Sequence, residues 1–218
     1  MSGVKALILV DLQNDFLPGG ALAVPRGDEV IPVANRLQPE FDLVVATQDW
    51  HPQGHGSFAS SYPGRKPGEL SELAGLPQVL WPDHCVQGST GADFAKTLQM
   101  NRVEAIFRKG TDPRIDSYSG FFDNGHRKST GLGDYLRGRG VTEVFVLGLA
   151  TDYCVKFTAL DARRLGFRVT LVEDGSRGVE LRPGDGARAV EEMRNAGVEV
   201  VRGSEVEAVS EEHGGHSQ

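Results

Sequence analysis

Glu143-Val144-Phe145-Val146-Leu147-Gly148-Leu149-Ala150-Thr151-Asp152-Tyr153-Cys154 is the stretch that decides the fold. Its opening residues form a nearly continuous apolar run, the pattern of a strand covered on both faces. A helical pattern over Asp152–Leu165 follows at once, so the stretch is a strand feeding a helix. Similar apolar runs stand at Lys5–Val10, Leu43–Thr47, Glu104–Arg108, Arg168–Val172 and Val198–Val201. Helical patterns fall between them near Glu29–Leu37, Gly91–Leu98, Gly131–Arg139 and Asp185–Asn195. Repeated strand–helix–strand order predicts an α/β protein, three layers deep, with helices on both faces of a mainly parallel six-stranded sheet.

Two stretches break the rhythm. Residues 50–82 are rich in Pro, Gly and Ser and hold both tryptophans; residues 110–129 hold Pro113, glycines and aromatic rings. Long insertions in a compact α/β domain are often functional loops. No internal repeat or domain boundary stands out. One domain is expected over residues 1–210, with 50–82 as a loop-rich insertion and 211–218 as a disordered polar tail.

The net charge is -7 and no Lys/Arg cluster is present, which argues against nucleic acid as a partner. The apolar run Ala6–Val10 is too short for a signal peptide and ends at Asp11. No stretch is long enough to span a bilayer, so a cytoplasmic location without a membrane partner is expected. Two cysteines, Cys85 and Cys154, fit a reducing compartment, although one disulfide is possible in principle. The sequence leaves a homo-oligomer open.

In open α/β sheets, ligands bind beyond the C-terminal ends of the strands. Here those ends run into Asp11, into Asp49 and His51, into Lys109, and into Cys154. The sheet would bring a carboxylate, a carboxylate–imidazole pair, an amine and a thiol to one rim. Taken singly, each has a plainer reading: a turn aspartate, an exposed lysine, a buried inert cysteine. As a set they point to covalent catalysis. Cys154 falls in the first turn of its helix, with Thr151 as N-cap, where the helix dipole favours a thiolate. Asp11 can accept the thiol proton or hold the thiolate's partner. Lys109 can pair with Asp11 and bias the thiol towards its anion.

Asp49 and His51 are two apart, so in an extended chain they face one way and can reach one metal ion. His84 is the candidate third ligand. An Asp/His/His set with open positions suits Zn²⁺, Fe²⁺ or Mn²⁺. His55 reads better as a loop-stabilising residue than as a ligand. His126, His213 and His216 read as loop and tail residues.

Five segments then resemble the nicotinamidases of the isochorismatase-like hydrolase superfamily. They are Asp11-Leu12-Gln13-Asn14-Asp15-Phe16 with Pro18–Leu22; Thr47-Gln48-Asp49-Trp50-His51-Pro52 with His55, Ser57 and Phe58; Trp81-Pro82-Asp83-His84-Cys85-Val86; Lys109-Gly110 with Asp116–Phe121; and Gly148–Val155. The resemblance runs from about residue 4 to 203, and the order of the five segments makes it specific. It implies a triad of Asp11, Lys109 and Cys154 and a divalent metal, zinc above iron or manganese, on Asp49, His51 and His84. It also implies a cis Leu149–Ala150 bond and an oxyanion hole from the backbone N–H groups of Ala150 and Cys154. Phe16, Leu22, Trp81, Tyr118 and Tyr153 would shape a ring pocket; core packing is their plainer reading.

The activity so implied is hydrolysis of nicotinamide to nicotinate and ammonia in NAD salvage, with pyrazinamide as a further substrate. A superfamily amidohydrolase acting on a carbamoyl or ureido compound would keep the triad but would not need the Asp49/His51/His84 set. A silent binding module would have lost part of one set or the other. A structural metal protein is disfavoured because only three good ligands converge.

Overall fold

Alternate residues of β1 (Val4–Val10) explain why the sheet carries helices on both sides. Leu7 and Leu9 enter one apolar cluster, whereas Ala6, Ile8 and Val10 enter another. Side chains of successive strand residues point to opposite faces, so a strand that is apolar at both parities must be covered twice. The first cluster packs under α1 (Val30–Leu37), which buries Val30, Ile31, Ala34 and Leu37. The second packs under α2 (Leu132–Gly138), α3 (Lys156–Arg164) and α4 (Asp185–Asn195) through Leu132, Leu136, Ala159, Val190 and Met193.

The computed structural model describes residues 3–206; the tail expected over 211–218 lies outside them. The remaining strands of the main sheet are β2 (Leu43–Asp49), β5 (Val103–Lys109), β6 (Val141–Leu149), β7 (Arg168–Arg177) and β8 (Glu199–Val201). All neighbours pair in parallel, in the order β5-β2-β1-β6-β7-β8. The chain winds outwards from β1 in one direction, through β2 to β5, and then returns to β6 on the other side. The strand order therefore reverses between β1 and β6, the place where open α/β sheets bind ligands. Asp11 follows β1 and Cys154 follows β6, one on each side of that reversal. No helix among the described residues is long and apolar enough to cross a membrane.

Three expectations need correcting. The helix expected over Gly91–Leu98 is a single short turn at Thr90–Ala92 followed by irregular chain. The loop-rich insertion at 50–82 also carries a strand pair that the sequence did not show: β3 (Leu70–Leu73) and β4 (Leu76–Val79) form an antiparallel hairpin. Its two turn residues, Ala74 and Gly75, both have positive φ, the geometry that suits a right-twisted two-residue hairpin. Finally, Thr151 is not a cap. The turn over Thr151–Val155 is a π turn, with Val155 N–H donating to Ala150 O at 3.1 Å, and no side chain caps it.

Gly148 is demanded by the sheet. Its φ is +131°, and a Cβ there would collide with the Val10 carbonyl of β1. This close approach brings the end of β6, with its cis Leu149–Ala150 bond, against the end of β1.

Candidate active site

Lys109 is the last residue of β5, and its side chain turns inwards beneath the rim. Its ammonium lies 2.8 Å from Asp11 Oδ2 and 2.9 Å from Asp49 Oδ1. It also donates to the Ser117 carbonyl at 2.9 Å and approaches Cys154 Sγ at 3.3 Å. Asp11, Lys109 and Cys154 thus meet at one buried cation, and Lys109 links them to Asp49 as well. Burial would lower the Lys109 pKa, but the Asp11 and Asp49 carboxylates hold it well above the usual range. The group is therefore a fixed positive charge.

Burial pushes the Cys154 thiol well up, and the nearby Lys109 charge only partly opposes this. The sequence suggested a thiolate favoured by a helix dipole; burial of the sulfur, which lies in a π turn rather than a capped helix, acts in the opposite direction. Burial also raises Asp11, against the opposing pull of Lys109. A carboxylate raised in this way is a better proton acceptor than an ordinary one. Asp11 Oδ1 accepts a 2.7 Å hydrogen bond from Thr47 Oγ1 on β2, so its orientation is fixed. Its Oδ2 takes no other well-angled hydrogen bond and stays open to the thiol proton.

Asp49 faces two ways. Its Oδ2 lies 3.1 Å from His51 Nε2 and 3.4 Å from His84 Nε2, and ligand atoms of these three residues lie within 4.8 Å of one another. His51 Nδ1 donates to the Gly110 carbonyl at 2.9 Å and His84 Nδ1 to the Pro82 carbonyl at 2.7 Å. A carbonyl can only accept, so each Nδ1 carries a proton and the Nε2 of each ring is the atom turned towards Asp49. Two imidazoles oriented in this way beside a carboxylate fit a divalent cation with N/O preference. Burial would lower the His51 pKa, yet the Asp49 charge and hydrogen bond push it up to about 8. Burial alone would raise Asp49; His51 and Lys109 hold it well below the carboxylate range. Gly110 has a φ of +66°, and a Cβ there would press on the His51 ring at 2.5–2.7 Å.

Phe16, Leu22, Trp81, Tyr118 and Tyr153 line a narrow pocket together with Asp49, His84, Ala150 and Cys154. The aromatic wall is interlocked: Trp81 and Tyr153 meet edge to face at 4.8 Å, and Tyr118 OH accepts from Trp81 Nε1 at 3.3 Å. The pocket also contains Asp116 and Val179, which sequence reasoning gave no role. Asp116 lay inside a recognised segment and could have been singled out; Val179 follows β7 with no signal of its own. Thr47 and Gln13 were also missed. Gln13 is fully buried and clamps Asp49, accepting from its N–H and donating to its carbonyl, both at 2.8 Å.

His55 lies beside the site, with its ligand atom within 4.8 Å of those of His51 and Asp116. Its Nδ1 meets Ser57 Oγ at 2.8 Å and its Nε2 the Asp112 carbonyl at 2.9 Å, so both ring nitrogens are engaged. His126 pairs with Asp161 at 2.8 Å, away from this pocket. Both cysteines are free; Cys85 is fully buried in the cluster under α1.

Residues 5–205 match the isochorismatase domain. The chain belongs to the isochorismatase-domain family. Within that family it is 55% identical over 197 residues to the nicotinamidase of Escherichia coli K12, covering 88% of this chain and 92% of that protein. A nicotinamidase/pyrazinamidase structure from Acinetobacter baumanii superposes with a TM-score of 0.91 at 44% identity, covering 94% of this chain and 99% of that one. The pyrazinamidase of Pyrococcus horikoshii in complex with zinc superposes at 0.74 with 42% identity, covering 91% and 98%. The single-domain, six-stranded isochorismatase fold expected from the sequence is therefore the fold observed.

Proposed function

We propose that this protein hydrolyses nicotinamide to nicotinate and ammonia through a thioester on Cys154, and that pyrazinamide is also a substrate. The observation that carries this is the Lys109 ammonium, which binds the Asp11 and Asp49 carboxylates and reaches the Cys154 sulfur in a single buried cluster. The same cluster joins the acyl-transfer groups to the Asp49/His51/His84 set, which a carbamoyl or ureido hydrolase would not need. The relatives' names support the same substrate.

In this reading Asp11 takes the proton of Cys154 as the sulfur attacks the carboxamide carbon. The developing oxyanion accepts hydrogen bonds from the N–H groups of Ala150 and Cys154, two residues that line the pocket. Asp11 returns the proton to the leaving nitrogen and ammonia departs. Water then attacks the thioester carbonyl, giving its proton to Asp11, and the sulfur leaves and is reprotonated. Lys109 keeps the net charge of the site constant while protons move between Asp11 and Cys154. Phe16, Leu22, Trp81, Tyr118 and Tyr153 hold the flat ring and exclude water. Asp49, His51 and His84 would hold a divalent cation, which would supply an electrophilic point for the pyridine nitrogen of the substrate. Zinc is the metal proposed, a choice supported by the ligand set and by the zinc-bound relative. Residues 1–210 act as one catalytic domain, and nicotinate release places the reaction in NAD salvage.

The test is ammonia release from nicotinamide, pyrazinamide and a panel of carbamoyl and ureido compounds, with and without added metal. Metal-dependent release from the two ring amides is expected. Faster release from a ureido compound, with no need for metal, would overturn the reading.

A further inference from the structure

A second cavity, of about 640 Å³, opens on the outer side of the Lys109–Asp112 segment. Arg108, Arg114, Arg127 and Lys128 line it, against the two carboxylates Asp112 and Asp123. One of the two carboxylates is paired with a cation, and the other is held by backbone donors. Asp112 binds Arg114 at 2.8 Å, and Asp123 Oδ1 accepts the backbone N–H groups of Gly125 and Arg127. Arg108 donates only to the Gln48 side chain and stacks on Trp50, and Arg127 donates to the Ala74 carbonyl. Neither of these arginines, nor Lys128, forms an ion pair among the described residues; the Lys128 charge is felt at Asp112, which Arg114 already holds. Three exposed cations, Arg108, Arg127 and Lys128, thus face one carboxylate without an ion pair among the described residues, Asp123, around one cavity in a chain whose net charge is -7.

The cavity shares its wall with the proposed active site. Lys109, Gly110, Asp112 and Ser117 all line it. The Ser117 carbonyl holds the Lys109 ammonium, the Gly110 carbonyl holds His51, and the Asp112 carbonyl holds His55. A ligand in this cavity would therefore touch the backbone segment that aims those side chains.

We propose that this cavity binds an organic diphosphate and that its occupancy alters turnover at Cys154. Guanidinium forks match phosphate oxygens in pairs, and the volume falls in the range that takes a nucleotide-sized molecule. The site is separate from the pocket that holds Cys154, which contains none of these four cations.

The probes are ADP and inorganic pyrophosphate, titrated calorimetrically into the metal-loaded protein, with nicotinamide turnover followed in parallel. The binding arm stands independently of the amidase reading, whereas the turnover arm rests on it. Binding of ADP to wild type and to Cys154→Ala alike is expected. In Arg127→Ala/Lys128→Ala the affinity should drop at least tenfold, and a severalfold change in kcat/KM seen with wild type should vanish. The single variant Lys128→Glu gives the same readout with a smaller perturbation. Tighter binding of ADP than of pyrophosphate supports an organic diphosphate; equal affinity reduces the site to one for phosphate alone and overturns that part. Absence of binding, or binding and inhibition unchanged in the double variant, as chelation of the metal by ADP would give, overturns the proposal. Binding without any change in turnover overturns the coupling to Cys154.

Discussion

Lys109 Nζ lies 2.8 Å from Asp11 Oδ2, and both side chains are buried. This ion pair sets the charge state of the whole site. It holds a permanent cation beside the sulfur and leaves Asp11 as the group that can gain and lose a proton.

Replacing that lysine removes the one cation paired with Asp11 among the described residues. Lys109→Met leaves the buried Asp11 carboxylate without its cation and beside the like charge of Asp49. Stability should fall by about 3–5 kcal/mol, the usual cost of breaking a buried pair from one side. Ammonia release should drop to background in the folded fraction. Denaturant melts together with turnover at low temperature check both parts.

Thr47→Val tests the orientation of the base. The variant keeps the volume but removes the 2.7 Å hydrogen bond to Asp11 Oδ1. Hydrogen bonds to charged groups contribute about 1.5–3 kcal/mol, so kcat should fall by roughly tenfold or more. KM for nicotinamide should hardly change, because Thr47 does not line the ring pocket.

Metal binding should depend on pH with a definite sign. In the metal-free protein Asp49 holds the His51 imidazole up to about 8, so below that pH a cation must displace a proton from the ring. Apparent affinity should therefore rise with pH, by about tenfold per unit, and level off above about 8. A chelator should abolish turnover, and added Zn²⁺, Fe²⁺ or Mn²⁺ should restore it. Competition titrations with a chromogenic chelator across this range measure the slope; a flat profile would mean that His51 is not a ligand.

The sheet was legible in the sequence because its central strands are apolar at both parities, as β1 and β6 are. The rim residues were legible from their places: Asp11, Asp49 and Lys109 stand at the ends of strands or just after them, and Cys154 lies in the turn that follows β6. The 91–98 segment was misread because Ala92, Ala95 and Leu98 fall three apart and are all buried, as on a helix face. Tertiary contacts override that pattern. Gly91 packs against the Asp15 carboxylate, Phe94 bridges to Gln13, and the Ala92 carbonyl accepts from both Gln13 and Gln48. The 70–79 hairpin was missed because Leu70 is exposed and Pro77 interrupts the alternation, leaving no two-residue period to read. Thr47 and Gln13 act through side-chain bonds between neighbouring strands, and these appear only once the register Val10–Thr47 is known.

The most direct test compares ammonia release from nicotinamide by Cys154→Ala and by Cys85→Ser. Cys85 is fully buried, and burial pushes its thiol well up, so it fits an inert core residue. Cys85→Ser should retain the chemical step and lose stability at most. Cys154→Ala should still bind nicotinamide while its ammonia release falls to background. Turnover at the wild-type rate in Cys154→Ala, or loss of the chemical step in a folded Cys85→Ser, would contradict the account.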